Sequence, residues 1–214
     1  MIQQILEYYQ ANGLYVLEQF WRHFLIAVYG VAFAAIVAVP LGFFIARRHK
    51  LAEWVITVAN IIQTIPSLAM LSILMLGLGL GATTVVVTVF FYSLLPILKN
   101  TYAGLRTVDS QLLDAARGMG LTRGQILRKV ELPLALSVIM AGIRNAIVIA
   151  IGITAIGTFI GAGGLGDIIS RGINVAGGAP IIWAGALPTA LMAVLTDLIL
   201  GWVERRLDPS KRYA

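Results

Sequence analysis

The stretch FLIAVYGVAFAAIVAVPLGFFIA, from Phe24 to Ala46, decides the class of fold because it contains no charged side chain. It is longer than the roughly 20 apolar residues that a helix needs to cross the hydrocarbon core of a bilayer. A helix on the surface of a soluble protein would need a polar face toward water, and this stretch has none. It therefore predicts a membrane-spanning helix rather than a core helix of a soluble all-α protein.

Charged residues are scarce throughout the chain and absent from three further long stretches. Of 214 residues, 59% are hydrophobic and 12% are charged, against about a quarter charged in an average globular protein. The other uncharged stretches are 54–98, 145–166 and 172–196. The first of these is long enough for two spans, with the turn residues Gly77-Leu-Gly-Leu-Gly81 between them. Since backbone polar groups in lipid must be paired within their own segment, these stretches are expected to be helices.

The predicted fold is an all-α integral membrane protein that forms one transmembrane domain over 1–214. We predict five transmembrane helices, at 22–46, 54–76, 83–104, 133–160 and 180–203, preceded by an extracytoplasmic helix at 1–21. Pro66 and Pro96 lie within the second and third spans, where proline is expected to kink a helix. The small residues Gly152, Ala155 and Gly157 favour close helix contacts in the fourth span.

Basic residues are concentrated on one side of the predicted membrane. The segment 47–50 carries three, the segment 99–129 carries six and the C-terminal tail carries four, which is 13 of the 16 in the chain. Those of the tail are Arg205, Arg206, Lys211 and Arg212. Because lysine and arginine stay on the cytoplasmic side, we expect the N-terminus outside, the C-terminus inside and the loop 105–132 in the cytoplasm. This topology accounts for the net charge of +6, so no nucleic-acid partner is expected. No cleaved signal peptide is expected either.

The motif Gly161-x-Gly163-x-x-Gly166 has the spacing of a dinucleotide phosphate cradle. That cradle needs a strand before the glycines and a helix after them, within a βαβ unit. Here the glycines follow a predicted membrane helix and emerge on the outer side, where cytosolic nucleotides are absent. We therefore interpret them as residues that end a helix and allow close backbone contacts.

The loop 105–132 carries strong local signals for two short helices. Asp109 is expected to cap a helix from Ser110 to Gly118, which Gly118 and Gly120 then end. Its apolar stripe comprises Leu112, Leu113, Ala116 and Met119. Thr122 and Gln125 fit a capping box, and Pro133 fits the first turn of the next span. The apolar stripe fits a helix lying on the lipid interface or one seated in a protein partner, and the residues do not choose between the two.

A resemblance to a known family favours the protein partner. Asp114-Ala115-Ala116, Gly120, Val130 and Leu132-Pro133 resemble the EAA signature of inner-membrane subunits of ATP-binding-cassette (ABC) importers, with Asp114 in place of glutamate and Val130 in place of isoleucine. Four longer segments are similar to permeases for glycine betaine, carnitine and choline. They are Asn60–Leu71, Tyr92–Leu105, Leu132–Ala146 and Ile160–Ile173. Methionine importer permeases share the five-span plan and the EAA loop.

The resemblance implies a type I importer permease of the osmoprotectant group in the bacterial plasma membrane. Its coupling segment, Asp109 to Leu121, would dock in a cleft of a cytoplasmic ATP-binding subunit. The residues assigned to that contact are Asp109, Leu112, Leu113, Asp114, Ala115, Ala116, Arg117, Gly118, Met119, Gly120 and Leu121. The implied partners are a pair of ATP-binding subunits, a second permease subunit, identical or paralogous, and an extracytoplasmic substrate-binding protein.

The chain carries no predicted catalytic, metal-binding or cofactor-binding residue. It contains no GxxxxGK[ST] phosphate-binding loop, so ATP and magnesium are expected on the partner ATPase and this chain is expected to be a transport subunit, not an enzyme. Alternatives are an importer for methionine or another small solute, a membrane redox enzyme that uses the glycine motif, and a stand-alone channel. A channel would have no use for an EAA loop.

Arg144 and Asp197 are predicted to form a structural ion pair between the fourth and fifth spans. Arg144 lies 11 residues beyond Pro133, which is roughly 16 Å along a helix. A cation at that depth needs a partner, and Asp197 is expected at a similar height. A substrate role is less favoured, because Arg144 would repel a quaternary ammonium group. The aromatic residues of the spans show no compact cage in the sequence.

Overall fold

The computed structural model describes residues 1–208, and over that range the chain is helical. Lys211 and Arg212 of the predicted basic tail lie outside the described residues. The helices are α1 (Ile2–Ala46), α2 (His49–Thr64), α3 (Ser67–Leu78), α4 (Ala82–Arg106), α5 (Ser110–Gly118), α6 (Arg123–Ile126), α7 (Leu132–Ile156), α8 (Leu165–Ile173) and α9 (Ala179–Leu207). A π-helical turn, Leu127–Glu131, joins α6 to α7, and a 3₁₀ turn, Gly157–Ile160, follows α7.

Four helical stretches are long and apolar enough to cross a membrane alone. They are α1, α4, the stretch Arg123–Ile160 and α9. Helices α2 and α3 are long and apolar enough to cross a membrane only if the two are taken as one span, and the chain bends by 95° between them. Residues 1–208 therefore contain four candidate spans, or five if the bent pair is one span.

The first predicted span is the second half of a much longer helix. α1 runs from Ile2 across residue 22 and deviates from helical backbone angles only at Asn12, with φ −125° and ψ 18°. A kink at Asn12 divides the predicted outer helix, 1–21, and its residues after the kink are continuous with the span 22–46. The outer placement of 1–21 stays a prediction. The part of α1 after the kink, residues 13–46, is about 51 Å long at 1.5 Å per residue, which is longer than a hydrocarbon core of about 30 Å.

The second predicted span, 54–76, is not one straight helix, and the kink expected at Pro66 is a complete break. Ile65 adopts extended backbone angles, φ −65° and ψ 127°, because a residue before proline is pushed out of the helical region and proline supplies no N–H. The Tyr92 hydroxyl donates a hydrogen bond to the Ile65 carbonyl, which the break leaves without a helical partner. By contrast, α4 continues through Pro96 as one helix.

A row of small residues on α1 lets α4 approach closely. Gly30, Ala34, Ala38 and Gly42 recur every fourth residue and are buried. A Cβ at Gly30 would lie 2.4 Å from Val89 Cγ1, so only glycine fits there. This is the small-residue packing that brings membrane helices together, and it was not predicted from the sequence.

The small residues predicted for helix contact in α7 differ in their surroundings. Gly157 packs on Val85, and the Ala155 carbonyl would lie 2.0 Å from a Cβ at Gly166. Gly152 is exposed, and a Cβ there would meet nothing within 4 Å. An exposed Gly152 is free to meet another subunit, and the close contact predicted for it stays a prediction.

Helix α8 was not predicted, because the segment after Phe159 reads as a glycine-rich loop. Its apolar residues Leu165 and Ile168 are buried, and Gly166 lets the helix contact α7. A Cβ at Gly185 of α9 would lie 2.8 Å from Ile169. The short helix is therefore seated against both α7 and α9.

Candidate functional site

Helix α5 is the predicted coupling helix, and it begins where the sequence predicts. The Asp109 carboxylate accepts a hydrogen bond from the backbone N–H of Gln111 at 2.8 Å. This satisfies one of the N–H groups that the first turn of a helix leaves without a partner. Asp114 and Arg117 form an exposed ion pair on the same helix, with a distance of 2.7 Å from Arg117 Nη1 to Asp114 Oδ1.

Gly120 ends α5 with a backbone conformation that glycine adopts most easily. Its φ is +77°. The N–H of Gly120 donates to the Arg117 carbonyl at 2.9 Å, and the N–H of Leu121 donates to the Ala116 carbonyl at 3.2 Å. This pair of bonds is the Schellman arrangement, which needs a left-handed residue at the position of Gly120. Gly118 is the last helical residue, with open space where a Cβ would be.

The apolar stripe predicted on α5 is divided between two faces of the helix. Ala116 is buried and Leu113 half-buried, so these two residues face the body of the protein. Leu112 is 49% exposed and Met119 73% exposed, and Ala115 is exposed between them. The predicted single stripe is divided because of helical spacing: Leu112, Ala115 and Met119 lie on one face of the helix, and Leu113 and Ala116 lie on another. We refer to Leu112, Ala115 and Met119 as the outer face of α5.

The segment after α5 is rigidly joined to the next membrane helix. Thr122 and Gln125 form the predicted capping box, with the Thr122 N–H 2.8 Å from Gln125 Oε1. From Arg123 the chain is helical without interruption through the π-helical turn and α7. Pro133 lies in the first turn of α7, as predicted. α6, the π-helical turn and α7 therefore form one continuous helical stretch that begins shortly after α5.

Glu131 links the end of the coupling loop to the end of α1. Its carboxylate lies 2.9 Å from the guanidinium of Arg47, which caps α1. The sequence analysis did not pair these residues, because 84 positions separate them. No local spacing signals a contact at that separation.

The structure brings Arg144 and Asp197 together and adds a third residue. Arg144 Nε lies 2.6 Å from Asp197 Oδ1, and Arg144 Nη2 lies 2.7 Å from Asp197 Oδ2. Arg144 Nη1 also lies 3.2 Å from Glu204 Oε2. The cluster therefore holds two carboxylates and one guanidinium, joining α7 to α9. Glu204 was missed, although its place seven residues after Asp197 puts both on one helix face.

The glycine motif on the predicted outer side is held by side chains of α1. Gln19 Oε1 accepts a hydrogen bond from the Gly164 N–H at 2.7 Å, and His23 Nδ1 accepts one from the Leu165 N–H at 3.2 Å. His23 Nε2 lies 2.9 Å from the Ile151 carbonyl, so Nε2 carries the proton and the imidazole is neutral. Two backbone N–H groups of the motif, those of Gly164 and Leu165, are therefore already donated to side chains of the same chain. No β-strand precedes the motif within residues 1–208.

Asp167 gathers a second set of contacts next to this motif. The Tyr15 hydroxyl donates to its carboxylate, and Arg171 Nε donates to it at 2.7 Å. The same hydrogen bond raises the pKa of the Arg171 guanidinium, which therefore stays charged. The Arg171 guanidinium also lies over the Tyr15 ring, 4.9 Å from its centroid. These contacts join α8 to the first part of α1.

Four aromatic rings from two distant segments of the sequence line one groove between α1 and α4. They are Tyr29, Phe33, Phe90 and Phe91, in a groove of about 750 Å³. Tyr29 and Phe33 are each 53% exposed. The rings therefore form an open surface rather than the closed cage that binds a quaternary ammonium group.

Comparison with known proteins gives consistent matches over nearly the whole chain. Residues 38–209 match the family described as binding-protein-dependent transport system inner membrane component. The chain is 66% identical over 210 residues to the carnitine transport permease protein OpuCD of Listeria monocytogenes, covering 98% of this chain and 94% of that protein. It is 62% identical over 212 residues to the glycine betaine/carnitine/choline transport system permease protein OpuCD of Bacillus subtilis, covering 99% and 93%.

The fold is also similar to a solved structure. An inward-facing form of the MetNI methionine ABC transporter matches with a TM-score of 0.79 and 22% identity, over 90% of this chain and 95% of that chain. At this identity the likeness concerns the fold alone.

Proposed function

Because the chain belongs to the family of binding-protein-dependent transport system inner membrane components, we propose that it is the permease subunit of an ABC importer for quaternary ammonium osmoprotectants. The observation that carries this proposal is 66% identity, over 98% of the chain, to a carnitine transport permease. The family consists of multi-pass membrane subunits of transport systems, and ATP hydrolysis belongs to a separate subunit. This chain is therefore not an enzyme.

The substrates proposed are carnitine, glycine betaine and choline, which the names of two close relatives give. Each carries a quaternary ammonium group, so one system that reads this group accepts all three. The solved methionine transporter shares the fold at only 22% identity, and the much higher identity to the osmoprotectant permeases favours their substrates over methionine.

The membrane topology proposed has five spans, with α2 and α3 forming one broken span. The N-terminus is then outside and the C-terminus inside. The support is the distribution of charge: Arg47, Arg48 and Lys50 follow α1, and the loop that contains α5 and α6 is rich in arginine and lysine. A chain with an odd number of spans has its two termini on opposite sides of the membrane, so five spans agree with an outer N-terminus and an inner C-terminus.

The ATP-binding subunit is proposed to dock on the outer face of α5. Leu112, Ala115 and Met119 form an exposed apolar patch on a short helix that stands away from the membrane helices. Such a face fits a groove on a partner protein. Closure of the ATPase pair around nucleotide would then move α5, and the continuous helix from Arg123 into α7 would transmit that movement to the path. ATP and magnesium would be bound by the partner and not by this chain.

A second permease subunit is proposed on the face that carries the cluster of Arg144, Asp197 and Glu204. These side chains retain 35%, 37% and 27% exposure in the single chain. Asn145 is also exposed on α7. Charged and polar groups within membrane helices face a protein partner or a water-filled path rather than lipid. An identical or paralogous subunit would enclose the path there, and an extracytoplasmic binding protein would deliver the substrate.

The test is uptake by the complex reconstituted in liposomes with its ATP-binding subunit and binding protein. Labelled carnitine, glycine betaine, choline and methionine are offered separately, with ATP or with a non-hydrolysable analogue inside. We expect ATP-dependent uptake of at least one quaternary ammonium compound and none of methionine. Uptake of methionine alone would overturn the substrate assignment, and flux through the permease without ATP or ATPase would support a channel.

A further inference from the structure

A cavity of about 560 Å³ lies between the coupling loop and the C-terminal ends of α1 and α4. One part of its wall is apolar and is formed by side chains such as Phe43, Leu105, Leu113 and Ile126. The other part carries one arginine each from the end of α1, from α4, from α5 and from α6. The cavity is thus an amphipathic chamber at the end of the membrane helices, bordered directly by α5 and α6.

Four arginines and a single carboxylate line this cavity. The arginines are Arg47, Arg106, Arg117 and Arg123, and the carboxylate is Glu131. Glu131 pairs with Arg47, and Arg117 pairs with Asp114. Within residues 1–208, no carboxylate lies within ion-pair distance of Arg106 or Arg123. The cavity therefore holds two guanidinium groups whose charge the protein does not neutralise.

Like charges gathered around one cavity repel each other, and an anion that enters it lowers that repulsion. A guanidinium group donates two parallel N–H hydrogen bonds to two oxygens of one phosphate. A chloride ion is a single atom and cannot accept this paired arrangement. Arg106 ends α4 and Arg123 begins α6, so an anion held by both would bridge a membrane helix and the coupling loop.

We propose that this cavity binds a phosphate group, held by Arg106 and Arg123, and that the phosphate braces the coupling loop against the membrane helices. The apolar wall beside the arginines fits a phospholipid, whose headgroup would meet the guanidinium groups and whose glycerol and first acyl carbons would meet Phe43 and Leu105. Inorganic phosphate offers the same oxygens without the apolar part. The site does not depend on which solute is transported.

The test compares two double variants that remove the same charge from the same region. All four residues are exposed. In Arg106→Gln/Arg123→Gln both arginines line the cavity, whereas in Arg128→Gln/Lys129→Gln both residues lie outside it. The permease complex with its ATP-binding subunit is placed in nanodiscs of phosphatidylglycerol and phosphatidylcholine and then extracted in detergent. The phosphatidylglycerol retained per permease is quantified by mass spectrometry of the lipid extract.

We expect the cavity variant to lose retained phosphatidylglycerol several-fold while the control variant retains as much as the unchanged protein. In a second arm, inorganic phosphate is added to detergent-purified complex and its ³¹P line width is followed. If the unchanged protein broadens the phosphate line, the cavity variant does not, and neither retains lipid selectively, the cavity binds free phosphate rather than a phospholipid.

Equal loss of lipid in both variants would mean non-specific attraction, and the site would be wrong. Unchanged lipid retention together with release of the ATP-binding subunit from the cavity variant would also overturn the proposal, because the arginines would then hold that subunit. If the double variant does not assemble, Arg106→Lys and Arg123→Lys keep the charge but lose the two-point geometry. Each should then retain less phosphatidylglycerol than the unchanged protein, and full retention in both would contradict the proposal.

Discussion

Arg144 and Asp197 form a two-point ion pair between α7 and α9, with N···O distances of 2.6 and 2.7 Å. The pair is of the side-by-side type, in which a planar guanidinium matches a carboxylate and fixes the relative orientation of the two chains that carry them. Few residues of α9 are buried, and this ion pair adds a polar contact to its packing against α7. It sits in a segment where lipid offers no substitute partner.

The ion cluster predicts an order of severity among single substitutions. Arg144→Gln leaves both Asp197 and Glu204 without a cation, whereas Asp197→Asn leaves Arg144 still bound to Glu204. We therefore expect Arg144→Gln to reduce the yield of folded complex several-fold more than Asp197→Asn. Fluorescence-detected size exclusion of the solubilised complex measures that yield. The triple change Arg144→Gln, Asp197→Asn, Glu204→Gln should recover part of the loss, and absence of any recovery would contradict a structural role for the pair.

Gly120 and Gly118 offer a matched test of the turn that ends α5. Gly120→Val forces a β-branched residue into a left-handed conformation, at a cost of about 1–2 kcal/mol, and should distort the coupling segment. Gly118→Ala adds a methyl group to a helical position with open space around it and should be tolerated. ATP-dependent uptake is expected to fall strongly in Gly120→Val at normal membrane content and to stay near normal in Gly118→Ala. Similar uptake by the two variants would argue against the turn as part of the coupling apparatus.

The hydrogen bonds from α1 to the glycine motif are expected to stabilise the folded protein at the end of the molecule away from α5. Gln19→Ala leaves the buried Gly164 N–H without its acceptor, which costs about 1–3 kcal/mol. Glu18→Ala, at the neighbouring exposed position, is the control. Thermal unfolding of the purified complex should shift to lower temperature by several degrees in the Gln19 variant only. Equal melting temperatures for the two variants would show that the observed bond contributes nothing.

The break between α2 and α3 predicts a specific role for one hydroxyl group. Tyr92→Phe removes the donor to the Ile65 carbonyl and leaves that carbonyl unpaired within the membrane region, whereas Tyr102→Phe removes a hydroxyl of the same helix that makes no recorded hydrogen bond within residues 1–208. We expect lower thermal stability for Tyr92→Phe, on the order of 1 kcal/mol. Hydrogen exchange at residues 65–70 should also be faster in that variant. Unchanged exchange would mean that the bend is held by Pro66 alone.

Features that depend on residues close together in the sequence were predicted correctly. The all-α class follows from the charge-free stretches, and the type I permease fold is what the resemblance to the EAA signature implies. Both are confirmed by the family match and the shared fold. The caps of α5 and α6 depend on residues two or three positions apart, so Asp109 and Thr122 predicted them correctly. The number of spans and the orientation of the termini remain predictions.

Apart from the pair of Arg144 and Asp197, contacts that join distant segments were not predicted from the sequence. The bonds of Gln19 and His23 to the glycine motif span more than 140 positions, and nothing near Gln19 signals them. The split of the apolar stripe on α5 depends on which side the body of the protein covers. Glu204 was recoverable, since its spacing from Asp197 is helical, and α8 was hidden because its glycines serve packing rather than turns.

The most direct test of the central claim, that α5 is the contact with an ATPase in the cytoplasm, uses single cysteines. The natural chain contains no cysteine, so Met119→Cys on the outer face of α5 and Val175→Cys in the loop after α8 each supply one unambiguous thiol. In intact cells, a membrane-impermeant maleimide should label Val175→Cys and not Met119→Cys. In inside-out vesicles, a short thiol cross-linker should join Met119→Cys, and not Val175→Cys, to the ATP-binding subunit. Labelling of Met119→Cys from outside, or cross-linking of the ATP-binding subunit to Val175→Cys instead, would contradict the account.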